Sequence, residues 1–92
     1  MAIAVLFEVP GMSTEQYDRV IRDLGAAGQG APKGRRYHVN AKRPKGSFVL
    51  DIWESPEELA AFAGVLMPIL VKNGVDPLPD PQILPLHSVI AG

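Results

Sequence analysis

His38 and Asp51 are the pair in this sequence best suited to moving a proton. An imidazole changes charge near neutral pH, and a carboxylate partner orients the ring and stabilises its protonated form, as a general base requires. The runs Arg35 to Ala41 and Ser47 to Trp53 flank Lys42-Arg-Pro-Lys-Gly46. A short polar connection carrying Pro and Gly predicts a hairpin with antiparallel strands. If Lys42 pairs with Ser47, His38 lies directly across from Asp51, with Cβ atoms about 5 Å apart. A slip of one residue would separate them. Trp53 follows Asp51 on the same face, where its indole either packs with its N–H bonded nearby or stacks on a flat ligand. His87, the other histidine of the chain, is a further candidate for ligand contact.

Two histidines and an aspartate invite a metal triad, but the expected topology argues against one within a single chain. The strands carrying His38 and His87 are separated by three strand spacings, roughly 14 Å, whereas ligands of one ion sit about 2.1 Å from it. No metal is therefore expected. A site assembled across two copies is the one arrangement that would bring the histidines together.

The elements that position these residues are read from periodicity. Ala2 to Val9 alternates Ile3, Val5, Phe7 and Val9 against Ala4, Leu6 and Glu8, which predicts a strand ended by Pro10-Gly11. Ser13 with Gln16 forms a capping-box pattern, and Tyr17, Val20, Ile21 and Leu24 make one apolar stripe of a helix stopped by Gly25. On that stripe Tyr17 reads as a core residue with a wet hydroxyl. Gly25 to Gly34 reads as a connecting loop. Ser55-Pro56-Glu57-Glu58 opens a second helix, with Leu59, Phe62, Leu66 and Ile69 or Leu70 buried and a kink or restart at Pro68. Val75 to Gln82 is expected to be extended, and Ile83 to Ile90 a last strand, held to a sheet edge by Pro85.

Composition narrows the setting. Ninety-two residues suffice for one domain, 1–92, and a chain this short often leans on a partner. The sequence has no cysteine, which excludes disulfides and thiolate metal sites and agrees with a cytoplasmic location. No apolar run approaches the roughly 20 residues of a membrane span, and the opening residues do not form a signal peptide. The net charge of −1 gives no global attraction to nucleic acid or anionic lipid. Lysines and arginines gather between Lys33 and Lys45, as solvated hairpin tips often show. RNA recognition needs aromatic platforms on a basic sheet, and Phe7 and Phe48 are instead assigned to the core.

Strand, helix, hairpin, helix, strand is the βαββαβ order of the ferredoxin-like α+β fold: a four-stranded antiparallel sheet with two helices on one face. The open face then calls for a second copy. With Phe48, Leu50 and Ile52 turned to the helices, His38, Asp51 and Trp53 would face a cavity between the two sheets.

Val5-Leu-Phe-Glu-Val, Pro10-Gly-Met-Ser-Thr-Glu-Gln-Tyr, Trp53-Glu-Ser-Pro-Glu-Glu-Leu, Leu66-Met-Pro and the closing His87 resemble the dimeric α+β barrel superfamily. Within it the chain is similar to small proteins related to the antibiotic biosynthesis monooxygenases. The resemblance implies a homodimer that binds a small molecule. It also implies cofactor-free oxygenation of an aromatic, polyketide-like compound, with Trp53 and His38 in the roles of the family's tryptophan and histidine and Asn40 as the cavity amide. Haem-degrading relatives use a histidine on the second helix, and residues 55–73 contain none. The competing expectation is a non-catalytic small-ligand-binding or regulatory protein.

Overall fold

The computed structural model describes residues 1–75 and 78–92. Its elements are β1 (Ile3–Pro10), α1 (Thr14–Ala26), β2 (Arg35–Arg43), β3 (Gly46–Trp53), α2 (Pro56–Lys72) and β4 (Gln82–Pro85). They form one antiparallel sheet in the order β2-β3-β1-β4 with two helices, a ferredoxin-like α+β fold.

Both helices start where their capping residues require. Ser13 accepts from the Gln16 N–H at 3.1 Å while the Gln16 side chain accepts from the Ser13 N–H at 2.9 Å, so two otherwise free donors are satisfied. Ser55 accepts from the Glu58 N–H at 3.2 Å, with Pro56 in the first turn. The helix ends differ from expectation. Gly25 lies inside α1, and Gly28 takes the left-handed conformation (φ 78°) while the Gln29 N–H closes on the Leu24 carbonyl at 2.8 Å. Helix α2 runs unbroken through Pro68. Pro68 and Gly64, whose carbonyl the proline cannot bond, are both exposed, so water can take that carbonyl.

Strand β4 stops at Pro85 rather than reaching Ile90. Its partner β1 runs out there: Ile3 pairs with Pro85, and the last bond is from the Leu86 N–H to the Ala2 carbonyl at 3.0 Å. Of the stretch expected to be extended from Val75 to Gln82, Asp76 and Pro77 lie outside the described residues.

The face of β3 that packs on the helices is the reverse of the one expected. Val5 pairs with Asp51 and Ile3 with Trp53, and all four are buried beside Val20, Leu24, Phe62 and Leu70. Phe48, Leu50 and Ile52 instead pair with Glu8, Leu6 and Ala4 on the open face. Alternation alone favoured the wrong side because this face of β3 carries Ser47 and Asp51. Their polar atoms are hydrogen-bonded, which removes the penalty of burying them. Tyr37, paired with Ile52, points to the face away from His38 and is 47% exposed in the single chain.

Gly46 starts β3 against β1, and a Cβ there would lie 2.6 Å from the Val9 carbonyl oxygen and 3.0 Å from Pro10 Cα. Both are backbone atoms that cannot rotate away. Gly46→Ala should therefore destabilise the fold by about 1–3 kcal/mol through overpacking, read as a lower urea midpoint. An unchanged midpoint would mean that the two strands separate freely at this end.

Candidate functional site

A hairpin of fixed register brings the first two site residues together. Lys42 pairs with Ser47 and His38 with Asp51, as expected from the turn. His38 Nδ1 stands 2.6 Å from Asp51 Oδ1. A carboxylate can only accept, so Nδ1 carries the proton and donates it. In the neutral ring the other nitrogen, Nε2, keeps a lone pair, and the Tyr17 hydroxyl, 2.5 Å away, donates to it. The Tyr17 and His38 rings lie parallel, 5.9 Å apart.

The second oxygen of Asp51 is also engaged. Trp53 Nε1–H donates to Oδ2 at 3.2 Å. Trp53 is fully buried, its ring 5.3 Å from that of Phe62, so it touches Asp51 and the core. The result is a chain of four groups, Tyr17–His38–Asp51–Trp53, running from a helix into the sheet.

Tyr17 is the residue that sequence reading placed only as core. It sits in the first turn and a half of α1, on the stripe that faces the sheet. The signal available was a polar tip on that stripe opposite a strand holding a histidine. Burial holds its hydroxyl above the usual phenol value; the Arg35 guanidinium opposes this, and the Asp51 and Asp18 carboxylates add to it. At neutral pH Tyr17 is therefore an O–H donor, consistent with its bond to His38.

Tyr17, His38 and Asp51 open on a cavity between the helices and the sheet, with about 70 Å³ open to the centre of a water-sized sphere. The cavity lies within one chain, on the helix side, and not on the open sheet face where it was expected. Its apolar walls come from both layers, among them Phe7, Val20, Ile21, Phe62, Leu66 and Leu70, with Arg35 as the remaining charged side chain. An apolar lining with a few convergent polar groups is the composition of a small-molecule site, but the volume is below the roughly 300–1,000 Å³ usual for one, so a ring-sized ligand would enter only as the walls move apart.

The other expected residues lie apart from this centre. Asn40 donates to Ser47 Oγ at 2.5 Å and to the Phe48 carbonyl at 3.2 Å, so its amide braces the hairpin. His87 is exposed beyond the end of β4. No cluster among the described residues has three groups able to hold a metal ion.

The sequence matches no known family profile and no curated protein. Its structure resembles several solved ones. A candidate antibiotic biosynthesis monooxygenase from Chloroflexus aurantiacus aligns over 100% of both chains with a TM-score of 0.67 at 15% identity. A Mycobacterium tuberculosis protein aligns over 99% of this chain and 100% of its own, with a TM-score of 0.67 at 13% identity. A cofactor-independent oxygenase from Streptomyces nogalater aligns over 99% of this chain and 97% of its own, with a TM-score of 0.63 at 9% identity. At this level of identity the likeness speaks for architecture, and the chain has the α+β fold of the antibiotic biosynthesis monooxygenase-like proteins.

Proposed function

We propose that this protein binds a flat, apolar small molecule with an acidic proton and removes that proton through the Tyr17–His38–Asp51 relay. The observation that carries the reading is the unbroken hydrogen-bonded chain from the cavity wall to a buried carboxylate. A substrate proton passes to the Tyr17 oxygen as the Tyr17 proton passes to His38 Nε2. The imidazolium so formed lies against the Asp51 carboxylate, and the substrate is left as its anion. Such relays contribute about 10²–10⁴-fold to a rate. An anion delocalised over a flat ring system can react with dioxygen directly, which agrees with a cofactor-independent oxygenase among the structural neighbours.

Anthrone, a flat carbon acid, tests this. Oxygenation at its acidic carbon consumes one dioxygen and yields anthraquinone and water. Oxygen uptake matched by anthraquinone, and lost in His38→Gln, is the expected result. Anthrone bound without uptake would support the non-catalytic ligand-binding reading instead.

The working form on this reading is a homodimer joined through the open sheet faces. Val39 and Tyr37 are 48% and 47% exposed there, beside Leu6, Phe48 and Leu50. An apolar surface of this kind is ordinarily covered. Light scattering should give about twice the chain mass of 9.9 kDa at micromolar concentration. A mass that stays at one chain over that range would remove the dimer. No described helix is long and apolar enough to cross a membrane.

A further inference from the structure

Arg35 and His38 are three positions apart on β2, and in a regular strand side chains three apart point to opposite faces. Here they share one. The pairing shifts between Arg35 and Tyr37, so that Arg35 stands opposite Trp53, Tyr37 opposite Ile52 and His38 opposite Asp51, with Arg36 as the extra residue. Such bulges re-aim side chains beside active sites. Arg36 turns outward to Glu54, with Nε 2.5 Å from the carboxylate, and Arg35 turns to the cavity.

We infer that Arg35 selects an anionic ligand: the cavity takes a weak acid on a flat apolar ring and holds the oxygen of its conjugate base against the Arg35 guanidinium. The inference rests on the proton-relay reading of the same cavity and adds where the anion goes. Arg35 lines the cavity with its guanidinium carbon 5.9 Å from the centre of the Phe62 ring. One nitrogen donates to the Gly30 carbonyl at 3.3 Å, in the solvent-exposed loop before β2. Among the described residues no carboxylate oxygen lies within 4.0 Å of it.

The other charged or titratable groups around the cavity leave that role to Arg35. They are Tyr17 and Asp18 from α1, His38 from β2 and Asp51 from β3, while Phe62, Leu66 and Leu70 from α2 carry no charge. Both oxygens of Asp51 are occupied by His38 and Trp53. The guanidinium field reaches the relay, since it acts to lower the Tyr17 pKa against the larger effect of burial. A planar cation with several donors suits an oxyanion in the plane of a ring, and the Phe62 face beside it suits the ring itself.

The test compares 4-nitrophenol, whose anion is coloured, with 4-nitroanisole, its neutral analogue. Each is titrated into the intact protein and into Arg35→Gln and Arg35→Lys. In the wild type, 4-nitrophenol should bind at least about tenfold more tightly than the anisole, and its pKa should fall by about one unit on binding, a tenfold change in ionisation. Arg35→Gln should lose both effects and bind the anisole unchanged. Arg35→Lys, which keeps the charge and loses the planar fork, should keep the pKa shift with weaker discrimination. Equal affinity for the two probes in the wild type, or a shift that persists in Arg35→Gln, would overturn the role of Arg35, and binding of the anisole would leave the cavity reading standing. Failure of both probes to bind would overturn the two together.

Discussion

Trp53→Ala is expected to lower the free energy of unfolding by about 3–5 kcal/mol, the usual cost of truncating a buried large aromatic. Trp53 has no exposed surface and packs on Phe62, and the cavity left behind borders a buried carboxylate. Against a total of about 5–15 kcal/mol for a domain, this is most of a small protein's margin. Trp53→Phe separates the two parts of the effect. It keeps an aromatic ring in the core and removes the N–H bonded to Asp51 Oδ2, which should cost about 1–3 kcal/mol. Urea unfolding at one fixed protein concentration measures both, because association between copies would make stability depend on concentration. The Phe variant should also loosen the carboxylate and broaden the NMR signal of the His38 Nδ1 proton. If Trp53→Ala costs less than about 1 kcal/mol, below the range for buried aromatics, the packing described for this side chain is wrong.

Tyr17→Phe should leave the fold nearly intact, since the ring stays and a single hydrogen bond contributes about 0.5–1.5 kcal/mol. Turnover of anthrone should nevertheless fall by about 10²–10⁴-fold, because the relay loses the group that meets the substrate. An independent readout comes from alkaline pH. The folded-state pKa of Tyr17 is raised above the ordinary 10.0, chiefly by burial. The folded chain therefore keeps a proton that the unfolded chain gives up. The associated stability is fully present below the unfolded value and is lost as pH rises through the folded one. Tyr17→Phe should flatten this alkaline loss. An alkaline stability profile unchanged in Tyr17→Phe would remove the special environment assigned to Tyr17.

The parts of this molecule that depend on local chemistry were legible in its sequence. Ser13 with Gln16 and Ser55 with Pro56 mark the helix starts, and the Lys42 to Gly46 turn sets the register that joins His38 to Asp51. The parts that depend on which surface meets which were not. One side of β3 carries Phe48, Leu50 and Ile52 and the other Ser47, Val49, Asp51 and Trp53, so alternation favoured burying the first, whereas the second packs against the helices. Its buried face holds Asp51 only because His38 and Trp53 satisfy both carboxylate oxygens, a condition visible in three dimensions alone. Arg35 was hidden for another reason. A bulge breaks the two-residue period without any glycine or proline to announce it, and strict alternation carries Arg35 to the wrong side of the sheet. Tyr17 matched the helix stripe and its hydroxyl was expected to meet water, whereas it meets His38.

The two borders of the sheet bear on aggregation. On one side the outermost strand, β4, has four residues and ends in Pro85, which has no N–H to offer an incoming strand. On the other, β2 ends in Lys42 and Arg43 at the hairpin tip and carries Arg36 near its start, charged side chains of the kind that keep an edge from accepting another strand. Neither border is a good template for fibril growth by strand addition. Mutations that remove Pro85 or neutralise the ends of β2 would open that route even if the cavity and its relay stayed intact, so the solubility and the chemistry of this protein are set by different residues.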